Sequence, residues 1–347
     1  MRKKEIPASV LAVVLVLFIS LFACVVLIFL LSRDPLKALA YFFLGPLMSR
    51  YYFGNMLNSA VPLILGGLGL TVSIGAGRLN LGGEGQVYAG AFTATAAALA
   101  FSHLGAAGAV LALAAGALLS GAAAGLSGFF RAKWGTNELI TSFLFSNVLI
   151  LAVNYLVTGP FKDPLTSLQS TEKIPEFFRL PRIFPPSNLS AAVFIALVLT
   201  LLTWVFFFRT RTGYEMRMSG CNEMFARYGG INTKKITTLA MFISGAFYGL
   251  AGGLEIFGTY YGTVKEFSSG VGWNGLAAAL IAGYNPAALI PAAVFFAWIG
   301  QGARIAMQLS DLNVEIALTA ESVIFFFVTS AALRGLFKRK GTTPWRR

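Results

Sequence analysis

Four acidic residues lie within or beside long apolar stretches of the chain. They are Glu84, Glu138, Glu255 and Glu321. Because lipid offers no partner for a bare charge, an ionisable side chain in such a place is a candidate site for a solute or an ion. A structural role is the alternative for each acid, and for Glu321 we favour an ion pair with Arg304.

The other three acids also have structural explanations that need no solute. Glu84 and Glu138 are predicted to pair with Arg78 and Lys133 at the cytoplasmic edge, where they would hold helix ends. Glu255 is predicted near the outer end of its helix, where its carboxylate reaches water. We favour the structural role for Glu84 and Glu138 over contact with a solute.

A polar run interrupts the apolar sequence at Arg78-Leu-Asn-Leu-Gly-Gly-Glu-Gly-Gln86. In lipid, irregular polar backbone must be buried in protein or must face water. We interpret the glycines as the start of a broken helix, and the run as part of an inner gate. A second glycine-rich segment at 270–283 is predicted to open another short helix, as in transporters with inverted repeats.

Amide side chains in and after this run could hydrogen-bond a polar solute or could join helix to helix. Together with three of the acids they form the predicted translocation path or gate: Asn80, Glu84, Gln86, Asn137, Glu138, Asn147 and Glu255. We predict no catalytic residue. The two cysteines, Cys24 and Cys221, form no metal or redox motif, so no metal site is predicted either.

The composition indicates a membrane protein made of helices. The chain is 56% hydrophobic and 12% charged. Continuous apolar runs of roughly 20 residues suit crossing helices, whereas barrel strands alternate. Breaks at Ser102-His103 and at Tyr284-Asn285-Pro286 divide two longer runs. The prediction is an all-α polytopic protein with about ten transmembrane helices, one of them short.

The basic residues orient this bundle. With a cytoplasmic N-terminus, eighteen of the 27 Lys and Arg residues fall on the inner side. This bias follows the positive-inside rule and predicts that both termini are cytoplasmic. The net charge of +13 is therefore mainly a topology signal. Nucleic-acid binding is disfavoured because the basic residues are scattered between spans.

The chain is predicted to be a single transmembrane domain over 1–347. Its extracytoplasmic loops are predicted at 32–55 and 159–188, and a basic cytoplasmic tail at 335–347. The loop 159–188 is rich in proline, which favours a semi-rigid connector or a surface for an outer partner.

The inner loop 209–235 is predicted to contain a short helix. Asn222 can cap it, the helix would run through Tyr228, and Gly229-Gly230 would end it. Aromatic and basic residues on such a helix suit contact with a cytoplasmic protein, and a solvated loop that holds the topology is the alternative.

Several motifs in a fixed order resemble those of a known family. They are the Arg78–Gln86 run, Thr136-Asn-Glu-Leu-Ile140, Asn154-Tyr-Leu-Val-Thr-Gly-Pro160, Ala226-Arg-Tyr-Gly-Gly-Ile-Asn232, Ile243-Ser-Gly-Ala-Phe-Tyr-Gly-Leu-Ala-Gly-Gly-Leu-Glu255 and Gly272-Trp-Asn-Gly-Leu-Ala-Ala-Ala-Leu280. The chain resembles permease subunits of ABC importers of the branched-chain amino acid and simple-sugar group. Within that group it is most similar to nucleoside-type permeases whose partner is a basic-membrane-protein lipoprotein.

The resemblance implies a type II importer fold, like that of the vitamin B12 importer, and a loop 209–235 that docks on the ATPase. It implies coupling residues at Arg217, Gly220, Asn222, Arg227, Tyr228, Gly230, Ile231 and Asn232. The chain has no phosphate-binding Gly-x-x-x-x-Gly-Lys-Ser/Thr motif, so the expected ATP and magnesium belong to a separate ATPase subunit.

The implied function is transport of a small polar solute, a nucleoside in the first place, across the bacterial cytoplasmic (inner) membrane. The chain itself is then no enzyme. Implied partners are the ATPase, a second permease in a heterodimer, a substrate-binding lipoprotein and membrane lipid. Riboflavin, a simple sugar and branched-chain amino acids are alternative solutes. An ion-coupled secondary carrier is the alternative class, and the four acids would then form its ion site.

Overall fold

The computed structural model describes residues 8–313, except 269, together with 315, 319, 322, 323 and 326. Glu321, which was predicted to pair with Arg304, lies outside the described residues. The predicted tail 335–347 lies outside them as well. The helices are α1 (Ala8–Leu31), α2 (Pro35–Phe43), α3 (Arg50–Gly75), α4 (Gly83–Ala100), α5 (Ala106–Trp134), α6 (Glu138–Thr158), α7 (Ala192–Arg209), α8 (Arg211–Cys221), α9 (Glu223–Tyr228), α10 (Thr233–Glu255), α11 (Val271–Ile281) and α12 (Pro286–Leu309).

Six of these helices are long and apolar enough to cross a membrane: α3, α5, α6, α7, α12, and α10 with its π-helical extension to Tyr260. Extended structure in the described residues is limited to two isolated β-bridges, Ser170 with Val264 and Arg182 with Ser190. These findings confirm the prediction of an all-helical polytopic membrane protein.

The helix boundaries follow local sequence signals. Residues 102–104 form a single 3₁₀ turn between α4 and α5, as the break at Ser102-His103 predicted. The second predicted break separates the short α11 from α12. There the Asn285 side chain accepts a hydrogen bond from the Ala287 N–H at 3.0 Å. Pro286 occupies the first helical turn, where a missing N–H leaves no intrahelical bond unmade.

Helix α10 is the centre of the bundle, and small residues allow its close packing. A Cβ atom added to Gly245 would lie 2.5 Å from the Ala124 Cβ of α5, and one added to Gly249 would lie 2.8 Å from the Ser120 Cβ. Neither position has room for a side chain. The alanine- and glycine-rich stretches therefore act as packing surfaces between helices.

The segment 159–188 folds over the predicted outer end of α10. The Ile174 N–H donates to the Tyr261 carbonyl at 2.7 Å, and the Leu180 N–H donates to the Phe257 carbonyl at 2.8 Å. Phe178 stacks against Phe257, with ring centroids 6.2 Å apart. The proline-rich loop is thus attached to the bundle along its length.

Candidate functional site

The polar run after α3 forms a buried hydrogen-bond network. The Asn80 amide donates to Gln86 Oε1 at 2.8 Å and to Ser244 Oγ of α10 at 3.0 Å. Asn80 Oδ1 accepts from the Gly82 N–H at 2.9 Å. Asn80 and Gln86 are each 1% exposed. The two predicted path residues are thus brought together inside the protein, where they satisfy the irregular backbone before α4.

Arg78 lies at the start of the run and joins three separate elements. Its guanidinium is 3.6 Å from the Glu138 carboxylate of α6 and 2.5 Å from the Glu223 carboxylate of α9. Its Nε donates to Thr237 Oγ1 of α10 at 3.1 Å. The predicted pair with Glu84 is wrong, because both of these carboxylates come from other helices.

Glu138 pairs with Arg78, one of the predicted basic partners, and with Arg131, but not with Lys133. Arg131 lies 3.3 Å from its carboxylate. The Lys133 ammonium instead lies over the rings of Phe129 and Trp134, 5.5 and 5.1 Å from their centroids. Lys133 points away from Glu138, since helical residues two positions apart, such as Arg131 and Lys133, do not share a face.

Glu84 caps a remote helix. Its two carboxylate oxygens accept from the Gly270 N–H at 3.1 Å and from the Gly272 N–H at 2.7 Å. These amides belong to the first turn of α11, which begins at Val271. A carboxylate at a helix N-terminus is favoured by the free N–H groups and the helix dipole. The two predicted short helices therefore meet at their N-termini.

Asn137 and Asn147 make local contacts in α6. Asn137 Oδ1 accepts from the Leu139 N–H at 3.0 Å and caps the helix. The Asn147 amide donates to the Phe143 carbonyl, one turn earlier, at 2.9 Å. The Asn147 side chain is exposed on the bundle surface. The structure does not bring either residue to the network around Asn80.

Glu255 lines a polar cavity of 370 Å³ at the predicted outer end. Its Oε2 atom is buried and has no hydrogen-bond partner in the part of the chain that the structure describes. The carboxylate therefore does not simply project into bulk water as predicted, since the part-buried Glu255 side chain lines this cavity between helices and its Oε2 atom is buried. The cavity is lined by polar and aromatic side chains, among them Tyr51, Tyr52, Asn55, Asn58, Ser59, Asn188, Glu255, Thr259, Tyr260, Phe267, Ser268, Asn274, Gln301 and Arg304.

The segment 209–235 forms two helices at the end opposite the cavity. Asn222 Oδ1 accepts from the Phe225 N–H at 3.0 Å and caps α9. The helix ends at Tyr228, and Gly230 follows with a φ of +80°. Each of these boundaries confirms the prediction. Tyr228 is 86% exposed and Phe225 is 63% exposed, so α9 presents an aromatic surface.

The predicted coupling residues divide into exposed and bracing positions. Arg227 and Tyr228 are exposed, and Gly230 has open space around it. The others brace the segment. Arg217 lies 5.3 Å from the Phe208 ring centroid, Gly220 packs on the backbone of Gly75 and Gly77, Asn222 and Asn232 cap α9 and α10, and Ile231 packs against the apolar cluster below.

Glu223 ties the exposed α9 helix to Arg78. Partial burial disfavours the charged carboxylate, but the hydrogen bond and charge of Arg78, aided by Arg227, outweigh that effect and hold the pKa of Glu223 below its ordinary value. The carboxylate is therefore ionised at neutral pH and the pair with Arg78 is a charge-assisted contact.

The sequence profile of the family described as "Branched-chain amino acid transport system / permease component" matches residues 52–333. The chain belongs to this permease family. The permease is 31% identical over 307 residues to the probable riboflavin import permease protein RfuC of Treponema pallidum, which covers 87% of this chain and 81% of the relative.

Two further relatives name other solutes. The guanosine ABC transporter permease protein NupP of Bacillus subtilis is 30% identical over 301 residues, covering 84% of the permease and 86% of the relative. The glucose ABC transporter permease protein TsgB13 of Haloferax volcanii is 29% identical, covering 86% and 82%. Membership of this group implies an ATPase and a substrate-binding partner for the permease.

The sequence analysis missed several residues around Arg78 and in the cavity that Glu255 lines. Glu223 and Thr237 were not among the candidates, and neither were Ser268 and Asn58 of the cavity. Arg304 was predicted only as the partner of Glu321, although a lone arginine in an apolar stretch is itself a site candidate. The others carry no such signal, because ordinary surface helices contain the same residue types.

Proposed function

We propose that this permease passes a nucleoside across the cytoplasmic membrane in an ABC importer. The observation that carries the proposal is the Arg78–Glu223 ion pair at 2.5 Å. It joins an exposed aromatic helix, suited to a cytoplasmic partner, to the polar break inside the bundle. Movement of α9 by a separate ATPase, which holds ATP and magnesium, would reach α4, α6 and α10 through Arg78.

The proposed architecture is the type II importer fold with ten crossings. Six are the long apolar helices, and α1, α4, α11 and the apolar stretch at 316–333 supply the other four. Both termini lie in the cytoplasm in this arrangement, and the cavity containing Glu255 opens outward. The capped ends of α4 and α11 then form the inner part of a gate below that cavity.

The proposed partners follow from this orientation. A substrate-binding lipoprotein delivers the solute at the outer face, for which the attached loop 159–188 offers a semi-rigid surface. A second permease completes a heterodimer. The polar and aromatic lining of the cavity suits a nucleoside. The relative named for guanosine also supports this choice of solute. Riboflavin, simple sugars and branched-chain amino acids remain the alternative solutes for the same machinery.

The proposal is tested by uptake into liposomes that contain the complete transporter. We expect guanosine or uridine to accumulate only when ATP is present on the ATPase side. Replacing Tyr228 and Phe225 by aspartate should abolish uptake and co-purification of the ATPase, because two charges then occupy the aromatic contact surface. Trp134→Ala, which removes another exposed aromatic side chain at the same end of the bundle, is the matched control.

An ion-coupled carrier behaves differently in the same assay. It takes up solute in response to a proton or sodium gradient without ATP, and the aspartate variants retain uptake. Normal co-purification of the ATPase with both α9 variants contradicts the coupling role of 209–235.

A further inference from the structure

The outer cavity has the form of a small-molecule site. Its volume of 370 Å³ lies within the range of about 300–1,000 Å³ that such sites occupy. The walls come from α3, α10, α11 and α12, together with the segment that precedes α11. Four packed helices therefore hold the lining side chains in position.

Two buried polar atoms of the side chains that line this cavity have no hydrogen-bond partner among the described residues. They are Glu255 Oε2 and Ser268 Oγ. Buried polar groups in folded proteins are nearly always hydrogen-bonded, and an unpaired carboxylate within a membrane span is especially unfavourable. Both atoms belong to side chains that line the cavity. The side chains of Glu255 and Ser268 therefore contribute polar groups to the wall of a space that a ligand can occupy.

A positive charge lines the same cavity. The Arg304 Nη2 and Nε atoms donate to Gln301 Oε1 at 2.9 and 3.2 Å, and Nη2 also lies 3.3 Å from Ser59 Oγ. These contacts orient the guanidinium. Within the described part of the chain no carboxylate lies within 4.0 Å of Arg304. Glu255 and Arg304 therefore share one cavity without neutralising each other directly.

Aromatic rings form much of the remaining lining. The Tyr260 ring lies edge-on to Phe267 with centroids 5.7 Å apart, and the Tyr51 and Tyr52 rings lie 5.5 Å apart. Flat aromatic faces accept planar heterocycles by stacking, whichever heterocycle is present. Selection among heterocycles must then come from the polar groups.

We propose that Glu255 and Arg304 bind the lactam edge of a planar heterocycle, where a ring N–H stands beside an exocyclic C=O. The carboxylate accepts the ring N–H and the guanidinium donates to the carbonyl oxygen. The preferred solutes are 6-oxopurine nucleosides such as inosine and guanosine, and uridine and flavins carry the same edge. The inference rests on the proposed function and names the part of the solute that the cavity recognises.

Adenosine is the informative comparison because it differs from inosine only at the edge in question. Its amino group would face the Arg304 guanidinium, and its unprotonated ring nitrogen would face the Glu255 carboxylate. A donor would then face a donor at Arg304, and an acceptor would face an acceptor at Glu255. A site built for hydrogen bonding strongly rejects such a mismatch.

The test measures binding of radiolabelled inosine and adenosine, at millimolar concentration, to the purified transporter complex in nanodiscs without its binding protein. Omitting that protein ensures that any preference belongs to the membrane subunits. We expect the wild-type complex to prefer inosine by at least about tenfold. Glu255→Gln should reduce this preference to about threefold or less, since the amide loses half of its acceptor capacity.

Arg304→Gln should shift the preference toward adenosine, because the new side-chain carbonyl accepts from the amino group. Asp34→Asn is the control: it neutralises an exposed carboxylate that caps α2 at the same end of the bundle, and asparagine caps equally well. Protein yield and basal ATP hydrolysis establish that each variant is folded.

An unchanged inosine-to-adenosine ratio in both variants overturns the inference, as does a wild-type complex without preference. The proposed function fails in a different way, by absence of ATP-dependent nucleoside uptake in liposomes. Uptake that persists while the ratio stays unaltered would leave the importer proposal standing and remove the role of Glu255 and Arg304 in recognition.

Discussion

The Glu84 carboxylate accepts the Gly272 N–H at 2.7 Å. This bond joins the first turn of α4 to the first turn of α11, across 188 residues of sequence. A second bond to the Gly270 N–H at 3.1 Å makes the contact bidentate. The capping runs one way: Glu84 of α4 caps α11, whereas the Gly85 N–H in the first turn of α4 donates to Ser146 Oγ of α6 at 2.8 Å.

Removing the cap should destabilise the permease. We expect Glu84→Ala to lower the free energy of unfolding by about 1–3 kcal/mol, because two partly buried N–H groups lose a charged acceptor. Glu84→Gln should have a smaller effect, since one acceptor oxygen remains. Thermal melting in detergent measures both. Glu172→Ala, at an exposed carboxylate, should not change the melting temperature.

The approach of α11 to α4 requires glycine at position 272. A Cβ there would lie 2.7 Å from the Gly83 carbonyl carbon and 2.8 Å from the Glu84 Cα, and both are backbone atoms. Gly272→Ala should therefore separate the two helices and abolish ATP-dependent uptake.

Gly275→Ala is the matched control on the same helix, where the nearest atoms lie at an ordinary 3.4 Å. We expect it to be neutral or slightly stabilising, since alanine is favoured over glycine in helices by about 1 kcal/mol. Equal uptake by the two alanine variants would refute the steric argument.

The ion pair between Arg78 and Glu223 predicts that the stability of the permease depends on pH, because this pair holds α9 against the bundle. Because the pKa of Glu223 is lowered in the folded protein, ionisation of this carboxylate stabilises the fold at pH values above the ordinary glutamate pKa. That contribution is lost as the pH falls through the lowered value. Wild-type protein should exceed Glu223→Gln in melting temperature at pH 7, and the difference should shrink on acidification below about pH 5.

Glu215→Gln is the control for this titration. Its carboxylate pairs with Arg211 in α8, at 2.9 Å, where the arginine is almost fully exposed. Surface pairs of this kind contribute little to stability. A pH-independent difference for Glu223→Gln would mean that the charge of this carboxylate does not hold α9.

The capping of α9 can be tested without altering its exposed aromatic side chains. Asn222→Ala should destabilise the helix by about 1 kcal/mol, whereas Asn222→Asp should preserve it. Faster hydrogen exchange of the amides of 223–228 in the alanine variant alone is the expected result. If ATPase co-purification falls together with that protection, the folded helix is the surface that the ATPase contacts.

The two native cysteines provide a test of orientation. Cys221 is exposed at the end of α8, and Cys24 is buried in α1. A membrane-impermeant maleimide should label Cys221 in inside-out vesicles and leave it unlabelled in intact cells. Cys221→Ser should remove the signal. Labelling from the outer side would reverse the proposed topology.

Local sequence determined much of this fold. The apolar runs predicted the long helices. The breaks at Ser102-His103 and Tyr284-Asn285-Pro286 predicted helix ends that the structure confirms. Asn222 and Gly229-Gly230 bound α9 as predicted. These features depend on hydrophobicity, caps and backbone preferences within a few residues, so they can be recognised without knowledge of neighbouring helices.

Tertiary structure alone decided the partners of the charges. Arg78 pairs with Glu138 and Glu223, whereas Glu84 caps α11 and Glu255 faces a cavity. Each of these outcomes depends on which helix packs beside which, and on side-chain directions that differ between adjacent residues of a helix. The sequence by itself identified charged groups that needed partners within the membrane. The packing of glycine-rich helices brought those partners within hydrogen-bonding distance.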